Sequence, residues 1–266
     1  FTTVLTSSAA SIFWLTVPET FILGGLSTFP ALALAAAGSS SVGRHAAATV
    51  LSLGMTVTNG MAGVLSAMGS LPWKRAAAAT VIAVAFIAGV TFAHKIAFPG
   101  STVMLDNVGG EWGWVFAPES GGPWAITRAF FFGSVIAPEI RFALNWQEPL
   151  LPFLTFQFGG LASGTTWSWP ATLVWAALLS AGLHAATTVP SQRRAGSVLI
   201  ALILFQFLLH LLYGRETFLY APHFVPALIG LAALSSLGRF VKPVRALAAV
   251  LIVANVLNNV PQYTWA

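Results

Sequence analysis

The chain has 266 residues, of which 57% are hydrophobic and only 7% charged, with a mean hydropathy of +0.82 and a formal net charge of +5. A soluble domain carries about 25% charged residues, so this deficit excludes a soluble globular protein and identifies a bilayer as the solvent. The chain has no cysteine and so forms no disulfide or thiolate metal site. Its small basic excess is what membrane loops carry and gives no reason to expect nucleic acid as a partner.

The fold class expected is all-α: a polytopic helical membrane protein of about seven to nine segments, one of them broken or re-entrant, with a loop region on the outer face. It reads as three regions: N-terminal membrane helices over 1–95, outer-face loops with an interfacial helix over 96–169, and C-terminal membrane helices over 170–266. The opening at Phe1 has no charged n-region and is no signal peptide, which leads us to expect more chain upstream. Residues 1–15 are apolar but short, as at the end of a helix begun earlier. Pro18-Glu19-Thr20-Phe21 opens a span to about Ala37, with proline and an acid suited to a first turn. A serine-rich turn over 38–43 and Arg44 follow.

The stretch 45–73 is apolar, bounded by Arg44 and by Lys74-Arg75, and interrupted by Gly54-Met55-Thr56-Val57-Thr58-Asn59-Gly60. One straight helix would put Arg44 and Lys74 on opposite sides, and a broken hairpin would put them on the same side. Half-helices of about 13 residues reach only about 20 Å, short of the roughly 30 Å hydrocarbon core. We favour the hairpin and expect a helix interruption within 54–60. Residues 76–93 form a clean span ending at His94-Lys95, and 96–123 a polar loop with Asp106, Asn107, Glu111, Trp112, Trp114 and Glu119. Residues 124–137, with Phe130-Phe131-Phe132 and Arg128, are too short to cross and read as an interfacial helix. Over 138–169, Glu139, Arg141, Asn145 and Glu148 accompany Trp146, Trp167 and Trp169, a pattern of membrane interfaces. Spans are expected at about 170–188, 196–212, 218–237 and 246–260.

Placing Arg193, Arg194, Arg239, Lys242 and Arg245 in the cytoplasm puts 213–217 and 96–169 outside. With the hairpin, Arg44, Lys74 and Arg75 are also inside, so eight of the twelve basic residues lie there and all seven acids lie outside. Chemistry is therefore expected on the outer face.

The densest group of polar and aromatic residues lies at 209–227, where Tyr213, Gly214, Arg215, Glu216 and Thr217 separate two apolar spans and Gln206, His210, Tyr220, His223, Pro222 and Pro226 crowd the joint. Arg215 suits a phosphate because its planar fork donates two parallel hydrogen bonds, and the helix start near Phe218 adds N–H groups. The bland alternative is an interfacial turn with Arg215 snorkelling, Glu216 capping and Tyr213 in the aromatic belt. Glu19 is a candidate outer-face base or a simple helix cap. Thr58 and Asn59 are candidates for substrate contact or for a hinge, since polar groups at membrane depth line cavities or satisfy freed backbone. Asp106, Asn107 and Glu111 could serve acid/base work or a divalent cation, or be solvated surface. No Walker A, GxGxxG, HExxH or GxSxG motif occurs, so nothing here points to ATPase or dinucleotide chemistry, and no residue is assigned to a metal.

Three segments together resemble bacterial GT-C-type membrane glycosyltransferases, akin to the protein mannosyltransferase and aminoarabinose transferase group. They are Trp14-Leu15-Thr16-Val17-Pro18-Glu19-Thr20-Phe21, Thr56-Val57-Thr58-Asn59-Gly60, and Leu211-Leu212-Tyr213-Gly214-Arg215-Glu216-Thr217-Phe218-Leu219-Tyr220-Ala221-Pro222-His223-Phe224. The resemblance implies the C-terminal membrane portion of an inverting enzyme of the bacterial inner (cytoplasmic) membrane, taking a sugar from a polyprenyl-phosphate carrier on the outer face. It implies Arg215 on the carrier phosphate, with Tyr213, Glu216, Tyr220, His223, Thr58 and Asn59 lining the cavity, and a divalent cation as helper. The family's base sits on an Asp-containing first outer loop, which has no counterpart ahead of Glu19 and is expected upstream. Two alternatives stay open: a non-enzymatic scaffold or accessory subunit packing on other membrane subunits, and a transporter using the break at Thr58-Asn59.

Overall fold

The computed structural model describes residues 1–17, 19–102, 106, 108–144, 152–238 and 240–264. Residues 1–17 hold two short helices, α1 (Thr2–Thr6) and α2 (Ala9–Thr16). Ser8 divides them, its hydroxyl accepting from Ser11 N at 3.3 Å to cap α2. The next apolar stretch is also divided, into α3 (Phe21–Leu26) and α4 (Phe29–Ala37). At their junction Ser27 and Thr28 turn their hydroxyls back onto the carbonyls of Gly24 (2.5 Å) and Gly25 (2.8 Å), the local competition that bends helices.

The broken segment is a helical hairpin. Its arms are α5 (Val42–Met55) and α6 (Gly60–Ser70), and a short 3-10 turn, Val57–Asn59, joins them. Thr56 is extended at φ −155°, ψ 128°, and ends α5 where the interruption was expected. Thr49 packs on Gly63 and Leu53 on Gly60, so the arms run antiparallel. A guanidinium nitrogen of Arg75 donates to Ser40 O at 2.8 Å, which brings the chain just before α5 and just after α6 to one end of the molecule. The arms are about 21 and 16 Å long at 1.5 Å per residue, too short to cross alone. Helix α7 (Trp73–Ala97) is then long and apolar enough to cross a membrane. It buries only Ala76, Ala79 and Ala83, and presents Val81, Phe86, Val90 and Phe92 outward.

The middle region holds α8 (Val108–Glu111) and α9 (Gly122–Arg128), which passes into a π-helical turn over Ala129–Gly133. The 124–137 stretch, expected to be an interfacial helix, packs partly into the core, while Trp124 at its start stays exposed. Phe130 is fully buried and stacks on Phe224 at 3.9 Å, and Val135, Ile136 and Ala137 are core residues. Phe130 packs inward because its partner ring lies in the most buried helix of the fold. A two-stranded antiparallel ribbon, β1 (Arg141–Leu144) and β2 (Pro152–Thr155), pairs Arg141 with Thr155. It is the departure from an all-helical chain among the described residues.

Four long helices complete the fold: α10 (Ser168–Thr188), α11 (Arg193–Leu212), α12 (Ala221–Leu234) and α13 (Val241–Thr264). Five stretches are long and apolar enough to cross a membrane: 73–97, 168–188, 190–212, 217–237 and 241–264. The protein is thus a helical integral membrane protein. The structure gives five such helices against the seven to nine segments expected, because the first seventy residues divide their apolar sequence among short helices. Helix α12 is the centre of the bundle. Phe224, Leu228 and Ala232 have no exposed surface, and α3, α10 and α11 pack around it.

The charges separate by end. Residues 38–44, the start of α7 and the start of α11 meet, with Arg194 beside Gly38. The opposite end carries the loops at 112–120 and 155–166, the α11–α12 turn and the end of α13. There Asn258 and Asn259 bind the backbone of the 135–137 and 165 segments.

Candidate functional site

The turn between α11 and α12 is built around Gly214. Its φ of +102° is a conformation that L side chains rarely adopt, and its N–H donates to Trp114 O at 2.9 Å. Phe116 N donates to Leu212 O at 2.8 Å, and Val115 bridges Tyr213, so the 112–116 loop is strapped to the end of α11. This strap places Trp114 under Arg215, whose guanidinium lies 4.6 Å from the ring centroid. The nearest acid is Glu119, at 3.8 Å from Arg215 Nε, an ion-pair distance but too long for a hydrogen bond. Arg215 Nε is buried and has no hydrogen-bond partner among the described residues. The guanidinium is thus oriented by a ring and only loosely neutralised.

Glu216 points the other way, into the protein. It does not cap the following 3-10 turn (Thr217–Tyr220), as the bland reading expected. Its Oε2 accepts from Thr155 Oγ1, and its Oε1 is buried without a partner among the described residues. Burial pushes the carboxyl up to about 7, against the pull of Thr155 and of the Phe156 and Gln157 backbone N–H groups, which favour the ionised form. Gln157 completes the arrangement: its Oε1 accepts from Thr217 N at 3.0 Å, and its Nε2 donates to Ser120 O at 2.8 Å. Phe156 stacks on Phe218 at 4.0 Å.

A second polar group lies beneath the turn, at the tip of the hairpin. Asn59, fully buried, donates to Gly24 O at 2.8 Å and faces Gln206 Nε2 at 3.4 Å. Beside it, Gln206 Oε1, both ring nitrogens of His210 and His223 Nε2 are buried without partners among the described residues. Tyr220 joins the two levels, its ring 5.4 Å from His210 and 5.7 Å from Phe21. The approach of α3 to α12 depends on Pro226, which cannot donate to Pro222 O within the helix. Gly25 fills the gap, and a Cβ there would meet Pro222 C at 2.9 Å. Beside this contact is an apolar groove of about 200 Å³ lined by Trp14, Ile22, Leu26, Phe29, Val225 and Pro226, among others. Trp14 Nε1 reaches Phe218 O at 3.5 Å, which ties the groove's wall to the turn.

Of the candidates from sequence, the structure brings Asn59, Tyr220 and His223 together in the lower cluster, with Arg215, Glu216 and Tyr213 above them. Thr58 is half-buried on the 3-10 turn. Glu19 is exposed between α2 and α3, at the end that carries Arg215. Asp106 is elsewhere, paired with Lys95 at 2.7 Å. Asn107 and Glu148 lie outside the described residues. No three His, Asp or Glu among the described residues come together as metal ligands. Sequence reasoning missed Thr155 and Gln157, which reach the turn across about sixty residues, and it treated Glu119 and Trp114 as loop residues. A Thr-Phe-Gln tripeptide carries no signal of its own. No family model, no curated protein and no solved structure matches the chain.

Proposed function

We propose that the chain binds a polyprenyl-phosphate sugar donor at the Arg215 turn, as the membrane portion of a GT-C-type glycosyltransferase acting on the outer face of a bacterial cytoplasmic membrane. The observation that carries this reading is the state of Arg215: stacked on Trp114, loosely paired to Glu119, with Nε unused, at the end of the bundle away from the basic loops. A phosphate is the ligand that a guanidinium fork in this state fits best. The apolar groove beside Trp14 supports it, since an isoprenoid chain needs an apolar bed leading from the lipid to the turn. Glu19 is the candidate base in this reading. The hairpin and the α3–α4 pair count as further membrane segments in it, entering the bilayer from opposite sides.

The test is binding of a short-chain polyprenyl phosphate to the protein in lipid nanodiscs. Arg215→Ala should weaken binding by about 1.5–3 kcal/mol, the range for a hydrogen bond to a charged group. Arg215→Lys keeps the charge but loses the fork and should not restore affinity. Equal affinity of wild type and Arg215→Lys would leave this turn as a membrane anchor.

A second reading, a transporter, draws on the lower cluster. Helices broken near the bilayer midplane are a recurrent way to build a site at membrane depth, and here the tip of the broken hairpin meets imidazole and amide groups without partners among the described residues. Solute flux into proteoliposomes without any carrier lipid would favour it over the first.

A further inference from the structure

The region around Glu216 is a closure made of three separate pieces of chain. The strap 155–157 lies on the turn 216–218, and the turn 118–120 lies against the strap. Glu216 and Gln157 hold the three together: Glu216 takes Thr155, and Gln157 takes Thr217 on one side and Ser120 on the other. One oxygen of Glu216 accepts from Thr155. The other is enclosed with no donor among the described residues. A neutral carboxyl tolerates such an enclosure. A carboxylate leaves a charged oxygen without water or donor, which is costly.

We propose that Glu216 is a proton-operated latch: the 155–157 strap stays closed over the α11–α12 turn while the Glu216 carboxyl is protonated, and lifts when it ionises. Lifting the strap frees the carboxylate to water and releases Gln157 from Ser120, and with it the 118–120 turn that carries Glu119, the counter-ion of Arg215. The charged and titratable groups on the surrounding elements are Arg215, Glu119, Tyr213 and His210 at the end of α11, Tyr220 and His223 at the start of α12, and Tyr263 against Phe156. None of them is among the causes that move Glu216, which is shifted by burial. The latch stands whatever Arg215 binds.

The sign follows from the two states. In the open state the carboxyl titrates near its ordinary 4.5, and in the closed state near 7. Opening therefore becomes easier by up to tenfold per pH unit between these values and levels off above 7, a total on the order of a hundredfold or more. The experiment is amide hydrogen exchange of the 155–158 segment in nanodiscs from pH 4.5 to 8.5, corrected for intrinsic exchange. Wild type should follow that rise and plateau, and Glu216→Gln, a permanent neutral isostere, should stay at the slow, low-pH level throughout. A flat wild-type profile overturns the latch, as does a Glu216→Gln profile that keeps the wild-type slope or exchanges fast at every pH. Thr155→Val decides the matter if Glu216→Gln does not fold. Losing a donor to the carboxylate should move the plateau to higher pH, and an unmoved plateau would assign the titration to another group.

Discussion

Two asparagines one turn apart on α13 should respond to substitution in opposite ways. Asn259 is fully buried, and its Oδ1 accepts from Ala137 N at 2.8 Å while its Nδ2 donates to Ser7 O at 2.9 Å and Val135 O at 3.0 Å. It therefore joins α13 to the α1–α2 junction and to the 134–137 segment. In Asn259→Ala, Val135 O keeps a second donor, Ala9 N at 2.9 Å. The Ala137 N–H and the Ser7 carbonyl are left with nothing else among the described residues. Each buried orphan costs about 1–3 kcal/mol, so the two together cost about 4 kcal/mol. At roughly 2–4 °C per kcal/mol for a chain of this size, the apparent melting midpoint in detergent should fall by about 8–16 °C. Asn255 is equally buried, but neither of its amide atoms has a partner among the described residues. Asn255→Leu removes two unsatisfied groups and should leave the midpoint unchanged or raise it. If Asn259→Ala loses no more than Asn255→Leu, the hydrogen bonds assigned to Asn259 do not hold this end of the bundle together.

Three further outcomes are expected. The chain has no native cysteine, so single cysteines at Asp106 and Arg215 should both react with a membrane-impermeant reagent added outside intact cells, and one at Lys74 should not. Labelling at one outer position with protection at the other would break the arrangement. Gly25→Val pushes a branched side chain into the Pro222 carbonyl and should cost about 1–3 kcal/mol, read as a lower melting midpoint. With the strap closed the Glu216 carboxyl titrates near 7, against near 4.5 unfolded, so its stabilising contribution is fully present below 4.5 and lost as pH rises through 7. The interval is worth up to about 3 kcal/mol at 1.36 kcal/mol per pH unit, the full value where the strap stays mostly closed. Stability measured across it should fall in wild type and stay flat in Glu216→Gln.

The long apolar spans were legible because a bilayer imposes length and composition directly on sequence. Thr56 to Asn59 announced the break in the hairpin, since polar groups and glycines seldom interrupt an apolar run without a structural reason. The divisions at Ser7-Ser8 and Ser27-Thr28 were less legible. A serine inside a span normally returns its hydroxyl to its own helix, and only the neighbours decide whether the helix continues. Phe130 illustrates a second limit: a triple phenylalanine beside an arginine has the composition of an interfacial helix, and its burial depends on the position of Phe224. At the site, sequence proximity gathered Arg215, Glu216, Tyr220 and His223. It could not supply Thr155, Gln157 and Ser120, whose relation to the turn exists only in three dimensions.

The hairpin has a consequence for how the protein is made. Its arms carry the buried polar groups His45, Thr49 and Ser52 and its tip carries Asn59, and α6 packs on α11 as well as on α4. Helix α11 begins more than a hundred residues after Ser70. At roughly 5–20 residues per second, the ribosome needs at least several seconds to deliver the surface on which the tip of the hairpin rests. Until then Asn59 lacks its Gln206 neighbour, and a half-height hairpin with polar contents faces lipid or the insertion machinery. Early synthesis therefore leaves an intermediate that needs protection, and chains truncated between α7 and α11 should be substrates for membrane quality control.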